Sequence, residues 1–190
     1  MATLLLVGWW VGCTSDVRFP TDPKDPVSVY LVKNGLHRGL LLPEGDRAGV
    51  GGYVEYGYGE WEWYGCGNNS WYRVFPAVLW PTAGGLGRRR FSTRDAGALR
   101  RRLAGAELQK LIVARDRAVA LRRELERRWD DGRSQLDEPP SRSFGLLFVP
   151  VDDGYWMFNN CCDEVARWLE ALDCPVESVL LRFDLEVEVP

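Results

Sequence analysis

The chain has 190 residues, 46% of them hydrophobic and 27% charged, with a formal net charge of -3. That composition suits one globular domain with a real core and excludes a disordered, collagen-like or heptad-repeat chain. No apolar run reaches the roughly 18 residues of a spanning helix, which excludes a polytopic membrane protein. The only histidine, His37, rules out a multi-histidine metal site.

In chain order, residues 2–12 (ATLLLVGWWVG) form an apolar run ending at Cys13. An apolar core of this length, closed by a small residue and a cysteine, has the shape of a bacterial lipoprotein signal, with Cys13 as the lipidated residue. Residues 14–26 then read as a proline-containing linker, and 27–190 as a single domain. VSVYLV at 27–32 and LHRGLLL at 36–42 predict two strands around a Lys33-Asn34-Gly35 turn. YVEYGY at 53–58 predicts a third, with 61–64 extending it. Residues 53–72 hold eight of the 23 aromatics, and the cluster Trp61, Trp63, Tyr64, Trp71 and Tyr72 reads as core and loop packing.

Residues 92–95 resemble a capping box opening a short helix to about Ala104. Residues 106–129 read as one long helix, with Leu108, Leu111, Ile112, Ala118, Val119 and Leu125 at helical spacing. Between Arg88 and Arg128 there are 14 basic residues against five acidic ones, a local +9 that leaves -12 to the remainder. Residues 88–130 are therefore expected to form an inserted, Arg-rich helical pair facing a membrane or an anionic polymer. Strand segments at 143–150 and 155–158 flank an Asp152-Asp153-Gly154 turn, a helix spans about 161–172, and FDLEVEV at 183–189 alternates as a terminal strand.

The chemistry-bearing residue is Cys161, placed by Asn159-Asn160 where that last helix starts. Free N–H groups and the helix dipole at such a position favour thiolate over thiol. Cys161, Val165, Trp168, Leu169 and Leu172 fall on one stripe, so the sulfur faces the sheet that carries His37. This is the layout of a Cys–His nucleophile pair, in which a third polar group would orient the histidine. The cysteine spacing matches no zinc pattern, and neither metal nor cofactor is expected. A disulfide between Cys66 and one of Cys161, Cys162 and Cys174 would suit an oxidising compartment. A redox role for the adjacent Cys161-Cys162 is disfavoured by their fixed Cα spacing of about 3.8 Å.

Residues 34–43 (NGLHRGLLLP), 53–60 (YVEYGYGE), Trp80-Pro81-Thr82, 158–161 (FNNC), 166–169 (ARWL) and Cys174-Pro175-Val176 together resemble the bacterial family labelled "urease-region conserved hypothetical protein". That family in turn resembles the circularly permuted branch of the papain-like superfamily, which includes permuted NlpC-type peptidases and lecithin:retinol acyltransferase-like enzymes. The resemblance implies an α+β fold, with a mostly antiparallel sheet and a packed nucleophile helix. It also implies that Cys161 is the nucleophile and His37 the base, with Glu55, and after it Glu60, as the orienting carboxylate. The helix start at Asn160 and Cys161 would supply the oxyanion hole. Where the family usually reads Asn-Cys-Asn-Thr-Trp, this chain reads Asn160-Cys161-Cys162-Asp163-Glu164, and Leu36 and Arg38 replace the usual Trp and Thr. Two carboxylates beside the sulfur are expected to raise its pKa. The functional expectation is an envelope thiol hydrolase or acyltransferase acting on a peptidoglycan peptide or lipid, with no nucleic-acid partner. The alternative is a catalytically inactive envelope binding module of the same fold.

Overall fold

The computed structural model describes residues 14–45, 51–67, 80–103 and 105–188. The fold is α+β. Among the described residues its nine strands are β1 (Thr14–Val17), β2 (Pro26–Asn34), β3 (His37–Pro43), β4 (Tyr53–Glu60), β5 (Thr82–Phe91), β6 (Glu107–Ala114), β7 (Ser141–Ser143), β8 (Leu146–Tyr155) and β9 (Asp184–Val187). Its helices are α1 (Trp61–Tyr64), α2 (Ala96–Arg102), α3 (Arg115–Ser134) and α4 (Cys161–Ala171). Seven strands form one antiparallel sheet in the order β6-β2-β3-β4-β5-β8-β7, while β1 and β9 pair in parallel as a separate ribbon.

Alternation along the central strands divides the core. Leu40, Leu42, Val54, Tyr56, Tyr58, Leu86 and Val149 point to the face covered by α3 and α4. Tyr30, Val32, Leu41, Tyr53 and Phe91 meet Leu99 and Leu103 at α2 on the other face. The antiparallel order also brings the start of β3, the end of β4, the start of β5 and the end of β8 to one end of the sheet. The first residue of α4 arrives at that same end.

Several expected elements differ. Residues 106–129 are not one helix: Glu107–Ala114 is a strand that pairs with β2 from Pro26↔Ala114 to Lys33↔Glu107. Leu111 and Val113 are buried on alternate positions, and this pairing covers an edge that β2 would otherwise leave open. The region 88–130 is thus not a helical pair alone, since it also supplies the last four residues of β5 and an edge strand. Asp95, rather than Ser92, caps α2 by accepting from the Ala98 N–H at 2.6 Å. Residues 61–64 turn into α1 instead of prolonging β4.

Asp152 and Asp153 lie inside β8 and make no turn. The hairpin turn falls at Phe144 (φ 49°) and Gly145 (φ 83°). Residues 156–159 form a tight turn closed by reciprocal Trp156–Asn159 backbone bonds, not a strand. The expected linker begins inside the fold, because Thr14–Val17 pairs with β9 and Val17 is buried. Cys13, Trp71 and Tyr72 lie outside the described residues.

Part of the expected basic lobe is paired with acids of the same fold. Arg88 and Arg90 share Glu126, Arg115 meets Asp25, Arg117 meets Asp173, and Arg128 bridges Asp153 and Glu164. Arg88 also stacks 3.4 Å from the Trp129 ring centroid. Among the described residues no helix is long and apolar enough to cross a membrane.

Candidate active site

Helix α4 starts where the sequence places it, and its cap fixes the cysteine. The Asn160 Oδ1 accepts from the Cys162 N–H at 2.7 Å and from the Asp163 N–H, while Asp163 Oδ2 accepts from the Asn160 N–H at 3.1 Å. This is a reciprocal capping box. Asn160 is itself anchored, its Nδ2 donating to the carbonyls of Met157 and Arg182. The cap engages the N–H groups of Cys162, Asp163 and Glu164 but not that of Cys161. The Cys161 N–H is therefore the helix-start donor left for an oxyanion.

Cys161 and His37 are brought together. The Cys161 thiol packs against the turn before β3, with Sγ 3.6 Å from the Leu36 carbonyl oxygen. Both residues are buried, Cys161 at 7% exposure and His37 at 9%. The Cys162 S–H donating to the Cys161 sulfur is the strongest influence on it. With the His37 imidazole and the Arg38 backbone N–H it outweighs burial, and holds the Cys161 thiol well below the usual cysteine range. Cys162 carries the converse shift and is pushed far up.

The expected penalty from Asp163 and Glu164 is absent because arginines neutralise both. Asp163 pairs with Arg182 at 3.0 Å, and Glu164 pairs with Arg128 at 2.7 Å and with Arg167. Burial would raise Glu164, but Arg128 and Arg167 together hold it below the usual glutamate range.

The imidazole is packed rather than hydrogen-bonded. Neither His37 nitrogen has a hydrogen-bond partner among the described residues. The imidazole therefore sits near the sulfur without a closed hydrogen bond, a looseness common before a substrate arrives. The ring lies across Gly57, where an added Cβ would come 2.5 Å from Nε2, and against the Tyr64 ring at a centroid distance of 5.8 Å. Tyr64 occupies the space that a side chain at Gly59 would need, and stacks on Phe148 at 5.2 Å.

Sequence reasoning missed Tyr64 and Tyr155 as members of the site. Burial, and then the nearby Cys161, push the Tyr64 hydroxyl up to about 12 and Tyr155 well above its usual value. The signal available in the sequence for Tyr64 was the Gly57-Tyr58-Gly59 spacing, which clears one face of β4 for the His37 and Tyr64 rings.

Neither proposed orienting carboxylate serves His37. Glu55 shares its face, two residues along β4 from Gly57, but its Oε2 accepts from Arg89 Nε at 2.9 Å and Nη2 at 2.5 Å. Its pKa is raised, because burial outweighs Arg89 and His37. Glu60 caps α1 by accepting from the Trp63 N–H at 2.6 Å. The buried Arg38 does the bracing instead: it donates to Asp184 Oδ1 at 2.9 and 2.6 Å and to the Gly35 carbonyl at 2.6 Å, fixing the turn before His37.

The four described cysteines are free thiols, Cys66 exposed and the others buried. No group of three or more His, Cys, Asp or Glu side chains among the described residues could hold a metal ion. Together these residues place a buried thiol near an imidazole at the end of an antiparallel sheet. No family model, curated protein or solved structure matches the chain.

Proposed function

We propose that the protein is a thiol hydrolase or acyltransferase of circularly permuted, NlpC-type papain-like architecture, working in the bacterial cell envelope with Cys13 as its lipid anchor. The single observation that carries this reading is the environment of Cys161, a helix-capped sulfur favoured as thiolate and lying against the backbone of residues 36–38 beside the only imidazole. His37 takes the thiol proton, and the Cys161 thiolate attacks an amide or ester carbonyl. The resulting oxyanion meets the Cys161 N–H. Collapse of the intermediate breaks the bond to the amine or alcohol, which leaves with the proton from His37. Water or an acceptor nucleophile then releases the acyl group from the thioester. The chain order, with the histidine strand first and the cysteine helix last, supports the permuted papain-like arrangement.

Mapping of iodoacetamide adducts tests the proposal. Cys161 is expected to label faster than a model thiol at neutral pH, and His37→Ala to slow it. If Cys161 labels no faster and His37→Ala changes nothing, the nucleophile assignment is wrong.

A second reading, an inactive envelope-binding module, is favoured by the Glu55–Arg89 pair, which leaves His37 without an orienting carboxylate. It requires Cys161→Ala protein to bind peptidoglycan as well as wild type does, with no turnover by wild type.

A further inference from the structure

Cys161 opens α4 and His37 opens β3, so the two groups stand on separate elements. The Cys161 thiol joins them directly by donating to the Leu36 carbonyl, and ionisation removes the proton that makes this contact. The three residues Arg182-Phe183-Asp184, which lead into β9, bond to both ends of the site. On the cysteine side, the Arg182 carbonyl accepts from Asn160 Nδ2 at 2.8 Å and Arg182 Nη1 pairs with Asp163 Oδ1 at 3.0 Å. One residue thus grips both members of the capping box. On the histidine side, Asp184 Oδ1 accepts from Arg38 Nε and Nη2 at 2.9 and 2.6 Å. Arg38 Nη1 in turn donates to the carbonyls of Gly35 and His37, at 2.6 and 3.0 Å.

The segment is itself held from behind. Arg182 Nε donates to the buried Ser15 hydroxyl at 2.8 Å and Nη2 to the Glu177 carbonyl at 3.1 Å, while Lys33 pairs with Asp184 at 3.3 Å. The Arg38 and Arg182 side chains are only 6% and 13% exposed, so these charge-assisted bonds are strong and directional. Leu185 and Val187 suffice to seat β9 on the core. The two ion pairs do something further, since one is aimed at each end of a single site. We propose that Arg182 and Asp184 are positioning residues of the Cys161–His37 pair. One short segment fixes the start of α4 through Arg182 and the start of β3 through Asp184, and so sets the spacing of sulfur and imidazole. This assignment rests on the thiol-nucleophile reading, in which that spacing governs proton transfer.

A double-mutant cycle on the full chain tests this, read as the rate of iodoacetamide incorporation at Cys161 at neutral pH, with circular dichroism to check the fold. Arg182→Gln and Asp184→Asn are each expected to slow labelling about tenfold when His37 is present. In His37→Ala protein, where no imidazole is left to position, each should change the rate less than about twofold. Arg182→Lys and Asp184→Glu keep the charges opposite Asp163 and Arg38. They are expected to fall between those variants and wild type, and they carry the test should the first pair not fold. Glu188→Gln, which breaks the exposed Arg18–Glu188 pair of the same ribbon, should leave the rate unchanged. Losses of equal size with and without His37 overturn the positioning role, because the segment then only supports the fold. Faster labelling in Asp184→Asn also overturns it, because the carboxylate would then act through a charge that opposes a nearby thiolate. Wild type that labels no faster than a model thiol, or is indifferent to His37→Ala, overturns the Cys161–His37 reading and the positioning with it. A fast, His37-dependent wild type that neither variant slows overturns the positioning alone.

Discussion

The Cys161 sulfur lies 3.6 Å from the carbonyl oxygen of Leu36, the residue immediately before His37. As a thiol, Cys161 donates to that carbonyl. As a thiolate it is repelled by the same oxygen and is held instead by the Cys162 S–H and the Arg38 N–H. The two neighbouring thiols are thereby pushed apart in acidity, Cys161 down and Cys162 up. Cys162 stays protonated because burial and its charged neighbour both oppose a second thiolate.

Cys162→Ala tests that pairing. Removing the strongest donor to the thiolate should move the pH at which Cys161 becomes alkylatable upward, towards the ordinary cysteine value of about 8.5, and slow labelling at neutral pH about tenfold. Cys162→Ser, which keeps an O–H donor, should recover most of the rate. The measurement is the pH dependence of iodoacetamide incorporation at Cys161, read by mass spectrometry. An unmoved inflection in Cys162→Ala would show that the pair does not set the reactivity.

Gly57→Ala tests the seat of the imidazole. An added methyl would stand 2.5 Å from His37 Nε2 and 3.3 Å from Leu146 Cδ2, so the ring has to leave its place over β4. Alkylation of Cys161 is expected to fall roughly 10–100-fold, the usual cost of displacing a reacting group by about 1 Å. The urea midpoint should fall only modestly, because alanine suits a strand at least as well as glycine does. Equal losses in the Gly57→Ala and His37→Ala proteins would mean that the methyl removes the imidazole from the site.

What was legible in the sequence followed from strong local signals. The Asn160 cap, the apolar stripe from Cys161 to Leu172 and the β-branched strand at 27–32 each have one reading, and all three stand in the structure. Residues 106–114 had two. Leu108, Leu111 and Ile112 fit a helical stripe, while Leu111 and Val113 fit an alternating strand, and the open edge of β2 decides between them. That edge is a long-range fact. The role of Glu55 was hidden for a related reason: its partner Arg89 sits 34 residues away, and only the β4–β5 register places them opposite each other. The neutralising of Asp163 and Glu164 by Arg182, Arg128 and Arg167 likewise depends on tertiary packing.

Glu55→Gln separates an orienting carboxylate from a structural one. Because Glu55 bonds Arg89, the amide should leave Arg89 short of its charged partner and lower stability by about 1–2 kcal/mol in urea denaturation. The labelling rate of Cys161 should change less than about twofold, far from the 10-fold or greater loss typical of disabling a general base. A large loss of labelling with intact stability would reinstate Glu55 as the partner of His37.

Glu164 offers the sharpest pH test, because it ties α4 to α3. Its Oε1 accepts from Arg128 at 2.7 Å and from the Trp168 indole N–H at 3.0 Å, and its Oε2 accepts from Arg167 Nε at 2.9 Å. The two arginines hold the folded-state pKa below the ordinary glutamate value of 4.5. The ionised form is therefore favoured by folding, and the stabilisation it gives is fully present above the unfolded value. It fades as pH falls through the lowered folded value, where both states become protonated. Glu164→Gln should cost about 2 kcal/mol at neutral pH, below the 3–5 kcal/mol of a fully buried pair because Arg167 is half exposed. Urea titrations of wild type and variant at descending pH should show the two stabilities converging in the acid range. A difference that stays constant from neutral to strongly acid pH would mean that the carboxylate charge contributes nothing, and that Trp168 packing alone fixes the helix.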